Sequence, residues 1–288
     1  AEPRDTGKLV FWEVQAPGGA RAYLLGTVHV GRDASAFDPA IQRALGESRT
    51  LVMEVDPAEL DPVQMSQLLL QKGLLDDERT LRDVLAPETW ERLRERLDAR
   101  GIPARTVLPM EPWVALFTLL GSELGAQGFE AQYGVEQQVL TDSPSVPVLA
   151  LESAAFQLEL FDALPMERQA RLLRGFLESS SGSQDARHAI EQLMDAWRRG
   201  DLKALETLGM PGRGEDEDAD ALYEVLYLQR NRAMARRLGE MLEEPPAPTP
   251  FFVMIGALHM VGDQSVPTLL SERGLAVRRI PRSRHGGS

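Results

Sequence analysis

The chain has four histidines, and two of them are approached in the same way. Residues 23–31 read YLLGTVHVG and residues 253–262 read VMIGALHMVG. In each, an apolar run of strand type ends in a glycine (Gly26, Gly256), two residues follow, and then a histidine (His29, His259). Neutral imidazole is the commonest metal ligand and a general base that titrates near neutral pH. A strand that carries the chain to a sheet edge, with a glycine that tolerates close approach there, sets the next side chains just past the strand's C-terminal end. In open parallel sheets that edge is where ligands bind. The two segments read as a degenerate internal repeat of one strand-and-loop unit. His188, in the polar stretch SQDARHAIEQ, reads as a surface residue, and His285 lies in the C-terminal tail, apart from the site.

Carboxylates end two further strand-like runs. In TLVMEV (50–55), Leu51, Met53 and Val55 alternate with Val52 and Glu54, so Glu54 is the one polar residue of a strand otherwise apolar on both faces, as in a covered parallel sheet. Glu152 directly follows VPVLAL (146–151). Four strands thus end in His29, Glu54, Glu152 and His259. Two imidazoles and a carboxylate make a set for a divalent ion such as zinc, manganese or cobalt, with Glu54 as the third ligand. In a helix expected over 221–243, Leu222, Leu226, Arg230, Met234 and Leu238 recur every four residues. An arginine on an apolar row implies a buried anionic partner, which Glu54, Glu152 or a substrate oxyanion supplies. Asn231 approaches from the neighbouring face.

Strands are expected over 9–15 and 21–28, joined at Ala16-Pro17-Gly18-Gly19 as a hairpin, then over 50–55, 146–151, 251–255 and 275–280. Asp38 and Pro39 have the chemistry of an N-cap and first helical position, and Pro62, Pro87 and Pro112 each mark a helix start. Trp113, Leu116, Phe117, Leu120 and Leu124 give the last of these helices a broad apolar face. Ser153 caps a helix, helices continue from 165 to about 243 with a break near 209–214, and Glu215-Asp216-Glu217-Asp218 reads as a solvated loop or helix start. The fold class is therefore α/β: a central mixed, largely parallel sheet built from both chain ends with a large helical insertion. One domain over 1–285 is expected, with a sheet core at about 9–56, 146–152 and 250–281 and helical insertions at about 61–142 and 153–243. The closing Gly286-Gly287-Ser288 reads as a cloning remnant.

Composition narrows the function. A net charge of −13 speaks against a nucleic-acid partner. The absence of cysteine excludes disulfides, thiolate nucleophiles and Cys-based zinc sites. No apolar run reaches the ~18 residues of a membrane span. The methionine-free start Ala1-Glu2-Pro3 fits a mature chain after removal of a signal peptide, or an artificially trimmed one; together with the resemblance given next, it makes a periplasmic or cell-surface location the expectation.

The combination of GTVH (26–29), EVD (54–56), YGVE (133–136), LALESAAFQLELFDALP (149–165), LQRNRAMARRL (228–238) and GALH (256–259) with the tail LLSERGLAVRRI resembles the TraB/GumN (Tiki-like) family. The resemblance runs over nearly the whole chain, and it extends in fold to erythromycin-esterase and ChaN-like groups. It implies that His29 and His259 are the paired Gly-x-x-His histidines, Glu54 the acidic site residue and Arg230-Asn231 the helix pair of the site. Where the family often has Gly-x-Asp, this chain has Gly134-Val135-Glu136, which leaves the role of Glu136 open. The expected function is a metal-dependent hydrolase, foremost a peptidase, acting on a peptide or small-molecule substrate. Glu152 would move protons and Arg230 would steady developing negative charge. A metal-free hydrolase with a histidine base oriented by Glu54, or a non-enzymatic binder of haem or another small ligand, are the alternatives.

Overall fold

A computed structural model describes residues 7–283 apart from 34–35, 61, 77, 180–182, 211 and 215–216. Glu215, Asp216, His285 and residues 286–288 lie outside the described residues. Contacts gather into two units. The first holds the chain up to Asp56, Glu130–Glu152 and the chain from Ala189 onward. The second holds Pro57–Phe129 and Ser153–His188.

The first unit is built on a sheet of β1 (Lys8–Gln15), β2 (Arg21–Thr27), β3 (Thr50–Met53), β4 (Val148–Ala150), β5 (Phe251–Gly256) and β6 (Ala276–Pro281), in the spatial order β4-β3-β5-β2-β1-β6. Strands β4, β3, β5 and β2 run parallel, and β1 pairs antiparallel with both β2 and β6. The fold is thus α/β with a mixed, largely parallel sheet drawn from both chain ends. The β1–β2 hairpin closes on Gly19 at φ +90°, a left-handed conformation that glycine adopts without strain. The decisive pairing is β2 with β5, with Gly26 opposite Ile255 and Thr27 opposite Gly256. The two Gly-x-x-His units are therefore side-by-side neighbours in space.

Period-two alternation splits the strands between two apolar layers. Phe11, Leu25, Leu51, Met53, Phe252 and Met254 pack against Ile41 and Ala44 of α1 (Pro39–Glu47) and Val135 and Val139 of α2 (Val135–Asp142). Leu24, Val52, Val253 and Ile255 pack on the other side against Met234, Leu238 and Leu242 of α3 (Gln229–Glu243) and Val266 and Leu270 of α4 (Val266–Glu272). Each fully buried side chain of this size stabilises by about 1.5–3 kcal/mol. Asp38 caps α1 by accepting from Ala40 N at 2.9 Å, and Pro39 opens it.

One expectation needs correction here. The helix read over 221–243 is helical but not α-helical throughout: Glu217–Tyr223 passes into α3 through a π-helical turn, Glu224–Leu228. The wider turn shifts the facing residues, so that Tyr223 and Leu228, five apart, are buried, whereas Leu222 and Leu226 are only partly so. The four-residue row holds from Arg230 onward, with Met234 and Leu238 buried.

The second unit is helical. Pro62–Lys72, Pro87–Ala99 and Pro112–Ala126 begin on the three prolines, and Ser153 caps Ala154–Asp162 by accepting from Phe156 N at 3.1 Å. Its core includes Leu81, Trp90, Leu93, Leu97, Ala115, Leu119 and Leu173. On Pro112–Ala126 the buried positions are Pro112, Trp113, Val114, Ala115, Leu119 and Glu123; of the expected apolar face Trp113 is buried, Leu116 packs partly buried against the core and Phe117 is exposed. Almost every position of that helix is apolar, so spacing alone does not choose a face. Glu123 is tolerated inside because Arg96 reaches it at 2.6 Å.

Candidate active site

Past the end of β2, the chain turns at Val28 and is held by the segment that leads into α2. Val135 N donates to Val28 O at 3.0 Å, and Gly31 and Glu130 exchange both backbone hydrogen bonds. Gly134 is needed there: a Cβ on it would stand 2.4 Å from the His29 carbonyl oxygen. This clamp brings Glu136, in the first turn of α2, onto His29 Nδ1 at 2.7 Å. Thr27 Oγ1 donates to the same Glu136 oxygen at 2.5 Å. Crowding by protein atoms pushes the His29 pKa down. The Glu136 hydrogen bond and charge, with Glu54 behind them, outweigh this and lift it to about 9. The side chain is 68 % exposed, so water weakens both the crowding and the charge pairing, and the rise rests on the short Glu136 contact.

His259 differs in nearly every respect. It lies in a 3₁₀ turn, Ala257–Met260, that follows β5, and it is 4 % exposed. Its Nδ1 is 2.6 Å from Asn231 Oδ1, while Asn231 Nδ2 donates to the Gln264 carbonyl at 2.8 Å. The amide orientation makes Oδ1 an acceptor, so His259 carries its proton on Nδ1 and keeps the Nε2 lone pair. Burial dominates its pKa, lowering it to about 4 despite the nearby Glu54 charge. The Tyr227 ring, presented by the π turn, packs against the imidazole with centroids 5.2 Å apart. π turns recur at functional sites.

Between the two histidines stands Glu54. Its Oε1 accepts from Gly256 N at 2.6 Å and its Oε2 from Arg230 Nη2 at 2.5 Å. Burial raises the Glu54 pKa, but the charges of His259, Arg230 and His29 and the Gly256 N–H bring it to about 2. Since His259 is neutral above about pH 4, Arg230, protonated His29 and the backbone donor hold Glu54 ionised at neutral pH. Arg230 also donates to Glu152, from Nε at 3.0 Å and from Nη2 at 2.8 Å. With Arg230 11 % and Glu152 3 % exposed, the arginine is a buried cation between two carboxylates. Glu152 gives both oxygens to Arg230, a geometry that suits holding the guanidinium rather than moving protons.

The structure thus brings together His29, Glu54, Glu152, Arg230, Asn231 and His259. It gives Glu136, whose role the sequence left open, a place on His29, and adds Thr27 and Tyr227. The convergence centres on Gly256: a Cβ there would lie 3.3 Å from Glu54 Oε1, 3.3 Å from His29 Nε2 and 3.6 Å from His259 Cδ2. In kind, these donors fit a divalent ion. Two imidazoles have their Nδ1 atoms tied back to oxygen acceptors, as metal-binding histidines do, and a carboxylate faces both. In spacing they do not close around one: among the described residues no three His, Asp or Glu side chains stand near enough together to hold a metal. Glu136 lay within reach of sequence reasoning, through YGVE. Tyr227 did not, because its orientation depends on the π turn.

The model of the TraB/PrgY/gumN family matches residues 10–279. The chain belongs to this family. It is 25% identical over 266 residues to the Uncharacterized protein YbaP of Shigella flexneri and to that of Escherichia coli (strain K12), with 90% of each chain covered. It is 26% identical over 309 residues to Metalloprotease TIKI1 of Danio rerio, covering 90% of this chain and 61% of the relative. No solved structure matches.

Proposed function

We propose that the protein is a hydrolase of peptide bonds centred on His29, Glu54 and His259; a divalent metal would be held by the two histidines, with Glu54 as the third ligand, once these side chains draw closer than they stand here. The observation that carries this reading is the pair of tied-back imidazoles, just past the ends of neighbouring parallel strands, that flank one ionised carboxylate. Similarity to a protein named a metalloprotease supports it. Zinc, manganese or cobalt, when bound, supplies Lewis acidity and a more acidic water. The chain's own residues do the rest. Glu136 orients His29 and Asn231 orients His259, so each Nε2 lone pair is free to face the site once His29 has lost its proton. Arg230, itself held by Glu152, keeps Glu54 ionised and in place. Glu54, with its low pKa, is a ligand and charge partner rather than a proton acceptor. The exposed His29 ring marks the side from which substrate arrives.

A second reading is favoured by one observation: both Glu54 oxygens are already engaged, by Gly256 N and by Arg230. Without metal, His29 Nε2 is the base and Glu136 its orienting partner. Titrating metal into chelator-stripped protein, while following binding and peptide cleavage, separates the two. The first reading expects saturable binding with cleavage that appears alongside it. Equal cleavage by stripped protein, rising as pH climbs through the His29 pKa of about 9, would favour the second. No cleavage in any state would dismiss both.

A further inference from the structure

Beside His29 the first unit contains a cavity of about 270 Å³. Its walls include Leu25, Val28, Val30, Ile41, Val135 and Trp197. The segment 28–31 is common to the cavity and the site. Val28 and Val30 line the cavity, whereas the His29 imidazole between them reaches Glu136 and the space above Gly256. The cavity and the site therefore share this one segment of chain, with the cavity-lining residues directly before and after His29.

Three polar groups of the wall are already committed inside the protein, whereas Arg282 Nε is buried without a hydrogen-bond partner. Trp197 Nε1 donates to the Gly26 carbonyl at 2.7 Å, so the indole offers the cavity only its ring. Gln138 Nε2 donates to the Tyr133 carbonyl at 2.9 Å. Asp38 caps α1 and accepts from Ser283 N at 3.2 Å. The charged wall residues are two acids, Asp33 and Asp38, and two arginines, Arg198 and Arg282, so their signs cancel and the cavity selects no net charge. At about 270 Å³ the cavity has room for a leucine or phenylalanine side chain.

We propose that this cavity is a specificity subsite that takes one uncharged apolar side chain, of leucine or phenylalanine size, from a polypeptide whose neighbouring peptide bond lies at His29. The inference rests on the hydrolase reading of the site. It adds a preference: peptides with a bulky apolar residue at the position that enters the cavity are cleaved faster than those with glycine or lysine there.

The test uses the full chain and methyl-resolved NMR. N-acetyl-phenylalanine amide and N-acetyl-leucine amide should give saturable shifts in the methyl groups of Val28, Val30 and Ile41, and the lysine and glycine analogues should not. Ile41→Trp fills the cavity and should weaken the phenylalanine amide at least about tenfold. Val30→Trp, at a partly exposed position, is the second filling variant should the first fail to fold. Absence of saturable shifts, equal shifts from the glycine amide, or shifts unchanged in a folded filling variant would overturn the proposal. If the apolar amides bind here yet no peptide is cleaved, the subsite stands and the hydrolase reading fails. If peptides are cleaved without regard to the residue at this position and the amides do not bind, the hydrolase reading stands and the subsite fails.

Discussion

At the scale of single residues, Arg230 is the clearest case of charge burial. Its guanidinium meets Glu54 at 2.5 Å and Glu152 at 2.8 Å. Removing it leaves two carboxylates facing each other out of water, so Arg230→Ala should destabilise the protein by about 3–5 kcal/mol in urea unfolding. Arg230→Lys should recover part of this, because an ammonium keeps the charge but not the two-point contact with Glu152. The histidines make opposite predictions. His29 has a folded-state pKa raised to about 9, so its stabilising contribution is full below ~6.5 and is lost as pH rises through the folded value. His259 is lowered to about 4. The unfolded chain takes up that proton first, and stability falls as pH drops from ~6.5 towards the folded value. Imidazole NMR titration with chelator present should show both, and Glu136→Gln should bring His29 down while leaving His259 where it is. A His29 that titrates near 6.5 in the wild-type chain would contradict the Glu136 pairing. His29, Glu54, Arg230 and His259 were legible in the sequence because each breaks an apolar pattern or repeats a spacing. The Glu136 contact was not, since it depends on how α2 docks on the turn after β2.

At the scale of elements, the parallel pairing of β2 with β5 turns a sequence repeat into a site. Gly26 and Gly256 serve that pairing differently. A Cβ on Gly26 would meet Val10 Cγ1 at 2.5 Å and the Ala257 Cα at 3.2 Å, so Gly26→Ala forces strand and turn apart and should cost about 1–3 kcal/mol in thermal or urea unfolding. On Gly256 the new methyl meets side-chain atoms of Glu54 and His29. Gly256→Ala should therefore cost less stability but shift the His29 titration and depress any activity. The reverse order of effects would mean that the two glycines have been assigned the wrong tasks. Strands and caps were readable because alternation, Gly-rich turns and Asp-Pro starts are local signals. The π turn before α3 was not readable, because it replaces one hydrogen-bond pattern by another without a change in residue types. Nor was the buried face of Pro112–Ala126, where apolar residues occupy most of the circumference.

At the scale of the whole molecule, the sheet's C-terminal edge collects groups from β2, β3, β4 and β5 and from α2 and α3, so the site requires both chain ends to fold together. This accounts for residues as far apart in sequence as His29 and His259 sharing one centre, with Glu54 between them. The family relationship is consistent with that reading, and Metalloprotease TIKI1 is similar over 90% of this chain. The most direct test of the account is cleavage of a mixed, unstructured peptide library by the purified chain, read by mass spectrometry with added zinc, manganese or cobalt. Wild type, His29→Ala, His259→Ala and Glu54→Gln would be compared, each first shown to be folded. The account predicts cleavage by the wild type and a loss of about a hundredfold or more in every variant. Equal cleavage by wild type and folded variants, or none by the wild type with any of the three metals, would contradict it.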